Sequence, residues 1–456
     1  MKEKVMCNYA YRSRKRFFRA VILFILMLNI SIVYAQEQPG TNYKLSLAEA
    51  VQIAKTQNKW VQAAGIEESE ANEDRKDAFK AALPTVNVGG SYQRFSNLTL
   101  FSEGLSHSTT ISTPPTPNAA NLGVDASFNI YSGGKFRALQ KEQTSHLKEA
   151  VLNTRDKSGN IALQTAEQYL DLVRLNDLQK FILDQLKRAQ TRLNNINALY
   201  KNQKVTRSDV LRAEVTLANV KLSLEQNEND IIIANQRLTV LINIPDSVRI
   251  SPVDSAAMPK PEVRSLLPLI EASGTSSYSV QKAAENIETK QARLKIVQSA
   301  NKPSFSLYSA YGINYPNFLV FPPVNQAYAI GFVGLKAQYS ISSLYHNKSK
   351  VAAGKLRIKE LEIQREAYKD NVHTEVKSYY VKYAEALSRI AVNEHSVEQA
   401  LVNYRIVNTK YLNQLSLLTD LLDADNLYQE SRFNLVKAQT DALAIYYHIL
   451  YTSGNL

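Results

Sequence analysis

Two carboxylates near the C-terminal end of the chain have a spacing that suits ion binding. Asp420 and Asp423 are three residues apart, so a helix would place both side chains on one face. Grouped carboxylates attract cations. The alternative is helix-start chemistry, because Asp in a first turn caps backbone N–H groups and suits the positive end of the helix dipole. Both interpretations can hold for the same pair.

Two further acidic residues have a functional and a structural interpretation each. Asp209 follows Thr206 at the spacing of a capping box, in which both residues satisfy backbone N–H groups at a helix start. Asp125 falls on the polar side of a predicted strand, where it either faces a lumen or is a tolerated polar residue beside a loop.

Motifs for catalysis, metal binding or cofactor binding are not found in the sequence. The six His residues, at positions 107, 146, 346, 373, 395 and 448, show no ligand spacing. Gly133 and Gly134 follow a predicted strand but lack the rest of a phosphate-binding loop, so a hinge is the better interpretation. We therefore expect no enzymatic activity, no cofactor and no metal site.

The N-terminal segment has the features of a secretory signal. A basic stretch precedes an apolar run from Ala20 to Leu28, and Val33 and Ala35 suit cleavage before Gln36. A retained N-terminal anchor is the alternative. Half of the net charge of +12 lies in residues 1–35, so the basicity is poor evidence for nucleic-acid binding. The single cysteine, Cys7, also lies there, so the exported chain would have no disulfide.

Strand and helix patterns then alternate along the chain. Pro84 ends a helix predicted for residues 44–82, and residues 85–95 read as a strand. Apolar and polar residues alternate over residues 121–131, with apolar side chains at Leu122, Val124, Ala126, Phe128 and Ile130. This alternation is what a strand of a membrane barrel requires.

A long helical hairpin follows the second strand. Apolar residues between Ile182 and Tyr200 recur at spacings of four and three, which is a coiled-coil pattern. The sequence predicts a first repeat over residues 36–243, with a hairpin over 135–242 whose tip lies near 201–208. Residues 244–261 hold four prolines and are interpreted as a linker.

The second half repeats the first. Residues 262–456 are predicted to hold strands at 304–313 and 328–341 and a hairpin over 346–451 with its tip near 412–419. Residues 200–214, YKNQKVTRSDVLRAE, align with residues 411–425, YLNQLSLLTDLLDAD, with six of fifteen positions identical. A shared register of strands and helices favours a duplication over two unrelated hairpins.

One predicted strand is irregular. Within residues 328–341, Ile330 and Phe332 follow one alternation phase, whereas Val333, Leu335 and Ala337 follow the other. A β-bulge near Gly331 or Gly334 would reconcile the two phases.

The strand count requires several copies of the chain. Four strands cannot close a barrel, and open sheet edges are not tolerated in lipid. Three copies give a twelve-stranded barrel, continued by a tube of long helices. The predicted fold is therefore mainly α with a small β part, in which each half supplies helix, strand, strand and long helical hairpin.

This duplicated order resembles the TolC family of outer-membrane channels over Leu45–Thr452. The matching segments are LSLAEAVQIA at 45–54, ALPTV at 82–86 and the two aligned hairpin tips. The resemblance implies a homotrimer in the outer membrane with a helical tunnel in the periplasm. It also implies docking to an inner-membrane pump through a periplasmic adaptor, in efflux or type I secretion.

The resemblance also suggests roles for single residues. Asp420 and Asp423 match the acidic pair at the family's tunnel entrance, which in a trimer forms a ring of six carboxylates. Asp209 and Tyr411 match gate residues that pair with an Arg five positions after the Tyr. That position is Ser416 here, so the lock must be weaker or built differently, with Arg207 or Lys204 as substitutes.

The hairpin tips are expected to face the adaptor. Many relatives have Gly three residues after the tip Tyr, but this chain has Gln203 and Gln414, preceded by Asn202 and Asn413. A soluble periplasmic coiled-coil adaptor or scaffold is the main alternative function, although it leaves four amphipathic strands unexplained. A periplasmic hydrolase would need a catalytic constellation.

Overall fold

A computed structural model of the chain describes residues 42–101, 104–106, 108–111, 116–320 and 324–456. The predicted signal peptide, residues 1–35, lies outside the described residues. The helices are α1 (Leu47–Gln57), α2 (Lys59–Lys80), α3 (Lys135–Lys201), α4 (Arg207–Ile242), α5 (Leu267–Ser276), α6 (Tyr278–Ser299), α7 (Ser343–His346), α8 (Lys348–Leu412) and α9 (Leu418–Thr452). The strands are β1 (Asn42–Leu45), β2 (Thr85–Arg94), β3 (Leu98–Leu100), β4 (Thr109–Ile111), β5 (Asn118–Ser132), β6 (Arg249–Pro252), β7 (Ser304–Tyr315) and β8 (Tyr328–Gln338).

The duplication is visible in the order of the elements. Helix α2, strands β2 and β5, and the hairpin α3–α4 form the first half, and α6, β7, β8 and the hairpin α8–α9 form the second. The predicted mainly helical, duplicated fold is therefore confirmed. The small hairpin β3–β4 lies between β2 and β5, outside the two strands predicted for this half.

The prediction of a single helix over residues 44–82 is wrong in two places. Its start is strand β1, and Asn58 separates α1 from α2 with an extended backbone. The Asn58 side-chain oxygen accepts a hydrogen bond from the Trp60 N–H at 2.9 Å, while its amide donates to the Leu241 carbonyl at 2.8 Å. Asn58 is therefore an N-cap inside a continuous helical pattern, which periodicity alone does not reveal.

A four-stranded antiparallel sheet lies at one end of the long helices. Its strand order is β2-β5-β7-β8, so the pair from the first half lies beside the pair from the second. The one irregularity in its pairing falls between Asn129 and Tyr131 of β5, which leaves Ile130 as the extra residue.

The predicted bulge in β8 is wrong, because β7 and β8 pair without interruption from Ser304↔Gln338 to Asn314↔Tyr328. The two glycines instead accommodate tyrosine rings of β7. A Cβ at Gly331 would lie 2.7 Å from Tyr311 Cδ2, and one at Gly334 would lie 2.8 Å from Tyr308 Cε1. Phe332 packs edge-on against Tyr308, with ring centroids 5.7 Å apart, which accounts for the second apolar phase.

The helices form a row that is open at both sides. Helix α3 has 67 residues and is therefore about 100 Å long. Nearer the sheet, α3 contacts α2 on one side and α6 on the other, and α6 contacts α8. Nearer the tips, α3 contacts α4 and α9, and α9 contacts α8. The row therefore begins at α2 near the sheet and at α4 near the tips, and it ends at α8 at both levels.

The middle of the long helices is held by the N-terminal segment and the predicted linker. Strands β1 and β6 pair in parallel, so residues 249–252 are part of a small sheet. The hydroxyl of Tyr169, on α3, shares its single proton between the Leu45 carbonyl at 2.8 Å and Asp254 Oδ2 at 2.9 Å. Asp254 also accepts from the Leu47 N–H at 2.7 Å. These bonds fix the segment to α3.

None of the helices in the described part of the chain combines the length and the apolar character that a membrane crossing needs.

The turn from β5 into α3 depends on two glycines with positive φ, and only one of them is crowded. Gly133 has φ 65° and a Cβ there would lie 2.5 Å from the Ser299 carbonyl oxygen, whereas Gly134 has φ 90° and open space. We expect Gly134→Ala to cost only the left-handed backbone strain, about 1 kcal/mol. Gly133→Ala should cost clearly more, measured as the urea concentration that halves the helical circular dichroism. Equal urea midpoints for the two variants would contradict this interpretation of the turn.

Candidate functional site

The two faces of the four-stranded sheet differ in chemistry. Directly paired residues share a face, so the register assigns Asn87, Asp125 and Ala310 to one side. The same side carries Asn121 and Asn314, which are joined by a 2.5 Å hydrogen bond. Asn87 donates to Asp125 Oδ2 at 3.0 Å. Asp125 therefore belongs to a polar network on one face.

The opposite face is apolar and exposed. It is formed by alternate residues of all four strands, namely Val86, Val88, Leu122, Val124, Phe128, Leu307, Tyr311, Ile313, Val333 and Leu335. The face that carries Asp125 is polar in β2 and β5, although it also carries Ile330 and Phe332 of β8. A sheet with one bare apolar face and one largely polar face is suited to separating lipid from water.

The two hairpin tips have the same backbone. Gln203 and Gln414 adopt left-handed conformations with φ 57° and 61°. The N–H of each Gln donates to the carbonyl of the tip tyrosine, Tyr200 or Tyr411, at 2.9 Å. The predicted tip residues, including Asn202 and Asn413, are all exposed at the end of the helical row.

A small core lies directly behind the tips and joins all four long helices. It contains Ile196 of α3, Val210 and Ala213 of α4, Tyr411 of α8, and Leu418 and Leu421 of α9. The first and second hairpins are therefore packed against each other at the tip.

The predicted acidic pair lies at the start of α9, and both side chains are exposed. Asp420 Oδ2 accepts a hydrogen bond from the Leu417 N–H at 3.0 Å, so it caps the helix. Asp423 has no such bond within the described residues. Two solvent-facing carboxylates three residues apart remain accessible to cations.

Asp209 and Tyr411 form no hydrogen bond with each other within the described residues. Asp209 Oδ2 accepts from the N–H and the hydroxyl of Thr206, at 2.9 and 2.7 Å, so the capping box is present. The hydroxyl of Tyr411 is buried without a hydrogen-bond partner within the described residues. Burial, and then the negative charge of Asp209, raise the pKa of Tyr411.

The sequence reading missed a buried carboxylate at the tip. Asp425 is only 2% exposed and lies between two arginines of α3. Arg192 Nη2 donates to its Oδ2 at 2.7 Å, and Arg188 Nε donates to its Oδ1 at 3.1 Å. A weak signal was available, because Asp425 follows the buried Leu418 by seven residues and the buried Leu421 by four, which is the core phase of α9.

Further charges and aromatic rings surround this ion pair. Asp184 contacts Arg188 at 2.5 Å and Arg432 at 2.9 Å. The Arg188 guanidinium lies 5.6 Å from the ring centroid of Tyr404, which stacks on Tyr428. We call Asp184, Arg188, Arg192, Asp425 and Arg432 the tip ion network; it ties α3 to α9 across the two halves.

The tip ion network shifts the protonation of its own members. Burial alone would raise the pKa of Asp184, but Arg188 and Arg432 outweigh it and lower that pKa. Burial alone would lower the pKa of Arg188, but Asp425 and Asp184 outweigh it and raise that pKa. Both groups therefore remain charged at neutral pH.

The described residues contain no group of three His, Cys, Asp or Glu side chains placed to hold a metal ion. Open space of about 430 Å³ does lie beside the tip ion network, lined by Lys187, Arg188, Arg192, Tyr404 and Tyr411 among others.

Comparison with known proteins gives one family match. Residues 50–243, which cover nearly all of the first repeat, match the family model described as "Outer membrane efflux protein". The first repeat of the chain is thus similar to the outer membrane efflux protein family. The predicted resemblance is therefore confirmed. No curated protein matches the chain in sequence.

Solved structures of low sequence identity share the fold of this chain. The Vibrio cholerae outer membrane protein VceC is 16% identical, with a TM-score of 0.72 over 90% of this chain and 96% of that one. The Campylobacter jejuni CmeC outer membrane channel is 14% identical, with a TM-score of 0.72 over 90% and 85%. The open state of the Neisseria gonorrhoeae MtrE outer membrane channel is 18% identical, with a TM-score of 0.69 over 90% and 89%.

Asp425 of the tip ion network and Asp423 of the exposed acidic pair are two residues apart, so matched substitutions can compare their contributions to stability. Asp425→Asn would leave Arg192 buried without its counter-charge, and breaking a buried pair costs about 3–5 kcal/mol. Asp423→Asn changes an exposed group and should cost less than about 0.5 kcal/mol. We expect only Asp425→Asn to accelerate trypsin cleavage at Lys201, Lys204 and Arg207. Equal cleavage rates for both variants would show that the network does not hold the tip.

Proposed function

We propose that three copies of the chain form an outer-membrane channel. In this assembly, twelve strands close a β-barrel and the long helices continue it as a periplasmic tunnel. The channel is the exit duct of an efflux pump or a type I secretion system, reached through a periplasmic adaptor. The observation that carries the proposal is the pair of open sheet edges at β2 and β8.

The outer edges of β2 and β8 have no partner strand within the described residues. All pairings in the sheet are antiparallel, so β2 and β8 run in opposite directions. The β8 of one copy can therefore pair antiparallel with the β2 of the next copy. A head-to-tail contact of this kind closes a ring when the rotation is right, and three copies give an even strand count.

The helical row supports the same mode of assembly. Helices α4 and α8, at its two sides, each carry an exposed apolar stripe whose residues recur at whole turns of the helix. On α4 the stripe is Leu211, Val215, Leu222, Ile233 and Val240, and on α8 it is Leu356, Ile363, Val381, Val392 and Ile406. The α4 stripe of one copy would pack against the α8 stripe of the next, which buries both.

The chemistry of the two sheet faces agrees with a lipid-facing exterior. In the closed barrel, the exposed apolar face would meet lipid, and the network of Asp125, Asn87, Asn121 and Asn314 would line the lumen. In a soluble adaptor or scaffold, the apolar face of the sheet would be a large apolar patch exposed to water, which is unfavourable.

We propose that the tunnel is gated at its tip. Asp420 and Asp423 of three copies would form a ring of six carboxylates that favours cations. Asp209 and Tyr411 would lie at the same entrance. Arg192 lines the same open space as Tyr411, so it would supply the positive charge that Ser416 cannot supply, in place of Arg207 or Lys204.

A pair of neighbouring residues on α4 tests the assembly. Leu222→Glu would place a charge in the apolar stripe, whereas Lys221→Glu puts the same side chain at an exposed position beside it. We expect trimers that dissociate only on heating from the native protein and from Lys221→Glu, and monomers from Leu222→Glu. Channel conductance in planar bilayers should follow the trimer. A native monomer that is stable without detergent would contradict the proposal.

Ion selectivity tests the acidic ring. The double variant Asp420→Ala, Asp423→Ala removes six carboxylates from a trimer, so we expect lower cation selectivity and weaker divalent block in planar bilayers. Glu430→Ala, which removes an exposed carboxylate farther along α9, should change neither. Unchanged selectivity in the double variant would rule out the ring.

A further inference from the structure

The two hairpin tips have the same backbone but different side chains. Their turns share the left-handed Gln and the same hydrogen bonds, with Lys204 N–H donating to the Leu199 carbonyl at 3.0 Å and Leu415 N–H to the Lys410 carbonyl at 2.8 Å. Lys201 and Lys204 of the first tip therefore occupy the positions of Leu412 and Leu415 in the second. Differences in what the tips bind must come from these side chains.

The first tip is cationic. Lys201, Lys204 and Arg207 are all exposed, and none forms an ion pair with a carboxylate in the part of the chain that the structure describes. Asp209, the nearest acidic residue in sequence, is engaged in the capping box with Thr206. Three positive charges within seven residues are therefore left for a partner.

The second tip is apolar. Leu412, Leu415 and Leu417 are 59%, 76% and 69% exposed, whereas Leu418 and Leu421 directly behind them are buried. Three exposed leucines within six residues lose the stabilisation of burial, about 1.5–3 kcal/mol for each side chain. Such a patch at the end of a molecule is typical of a protein contact.

We propose that the adaptor-facing end, formed by the hairpin tips, recognises its partner protein through two chemically different contacts. The partner presents carboxylates to the first tip, at Lys201, Lys204 and Arg207, and apolar side chains to the second tip, at Leu412, Leu415 and Leu417. This rests on the proposed function, in which six tips of a trimer alternate around the tunnel entrance. The matching partner is a protein with two alternating sites, one acidic and one apolar.

The segregation of the two chemistries favours a protein over a lipid surface. A helix that lies on a membrane combines cationic and apolar side chains along one element. Here the cations and the leucines are on separate tips, and Lys201 and Lys204 hold the same backbone positions as Leu412 and Leu415. Complementary charge on one tip and apolar packing on the other would also fix which tip meets which site.

Photocrosslinking from the two left-handed glutamines tests the proposal. A photoreactive amino acid replaces Gln203 or Gln414 in the full-length protein in its native host cells, and the crosslinked peptides are sequenced. We expect Asp or Glu around the crosslinked position from Gln203, and Leu, Ile, Val or Phe from Gln414. Peptides of the same composition from both tips, crosslinks to lipid, or none at all would overturn the proposal.

Charge reversal adds a graded readout. Lys201→Glu with Lys204→Glu should lower the crosslinking yield from Gln203 by about tenfold or more, because like charges face each other across the contact. Leu415→Ser with Leu417→Ser should lower only the yield from Gln414, and Lys221→Glu, away from the tip, should lower neither. An unchanged or higher yield after charge reversal would overturn the acidic contact.

Channel conductance separates failure of this inference from failure of the proposed function. Every variant is also measured in planar bilayers. If the native trimers conduct but the tips show no difference in partner chemistry, only the inference fails. If the native protein forms neither trimers nor channels, the proposed function fails as well.

Discussion

Unpaired backbone groups along the outer edges of β2 and β8 are the constraint on which the rest of the structure depends. Each edge presents a row of N–H and C=O groups that lipid cannot satisfy, so the sheet is unstable in a membrane until both edges are paired. Strand β2 directly follows α2, and β8 leads through α7 into α8, so the open edges of the sheet and of the helical row lie on the same two sides. One cyclic contact can therefore satisfy the strand edges and bury the stripes of α4 and α8 together.

At the tip, helix α9 carries both a buried carboxylate and exposed carboxylates. Asp425 lies in the core phase of α9 between Arg188 and Arg192, whereas Asp420 and Asp423, five and two residues before it, face solvent. A buried pair contributes little net stability but penalises arrangements that separate its members. The tip ion network therefore sets how the two hairpins sit against each other. In the proposed trimer, this spacing would set the positions of the exposed carboxylates.

Regular patterns made much of the fold predictable, whereas contacts between distant segments did not. The alternation from Leu122 to Phe128 correctly predicted a two-faced strand, and the heptad before Tyr200 correctly predicted a long helix. The pairing of β1 with β6 joins segments about 200 residues apart, and Arg192 meets Asp425 across 233 residues. No local spacing encodes either contact. The β8 bulge was a wrong inference because alternation cannot distinguish an extra residue from a glycine covered by a ring of the next strand.

The turn residues at the tips also argue that function, rather than folding, shaped this end of the molecule. Gln203 and Gln414 hold positive φ angles that cost a residue with a side chain about 1 kcal/mol and cost glycine little. Both side chains are exposed, so packing does not repay this strain. Strain retained at an exposed position of both repeats is therefore not explained by packing, and strained backbone is common at functional sites. The repeats keep this backbone conformation while the neighbouring residues differ in charge, so those neighbours distinguish the two tips.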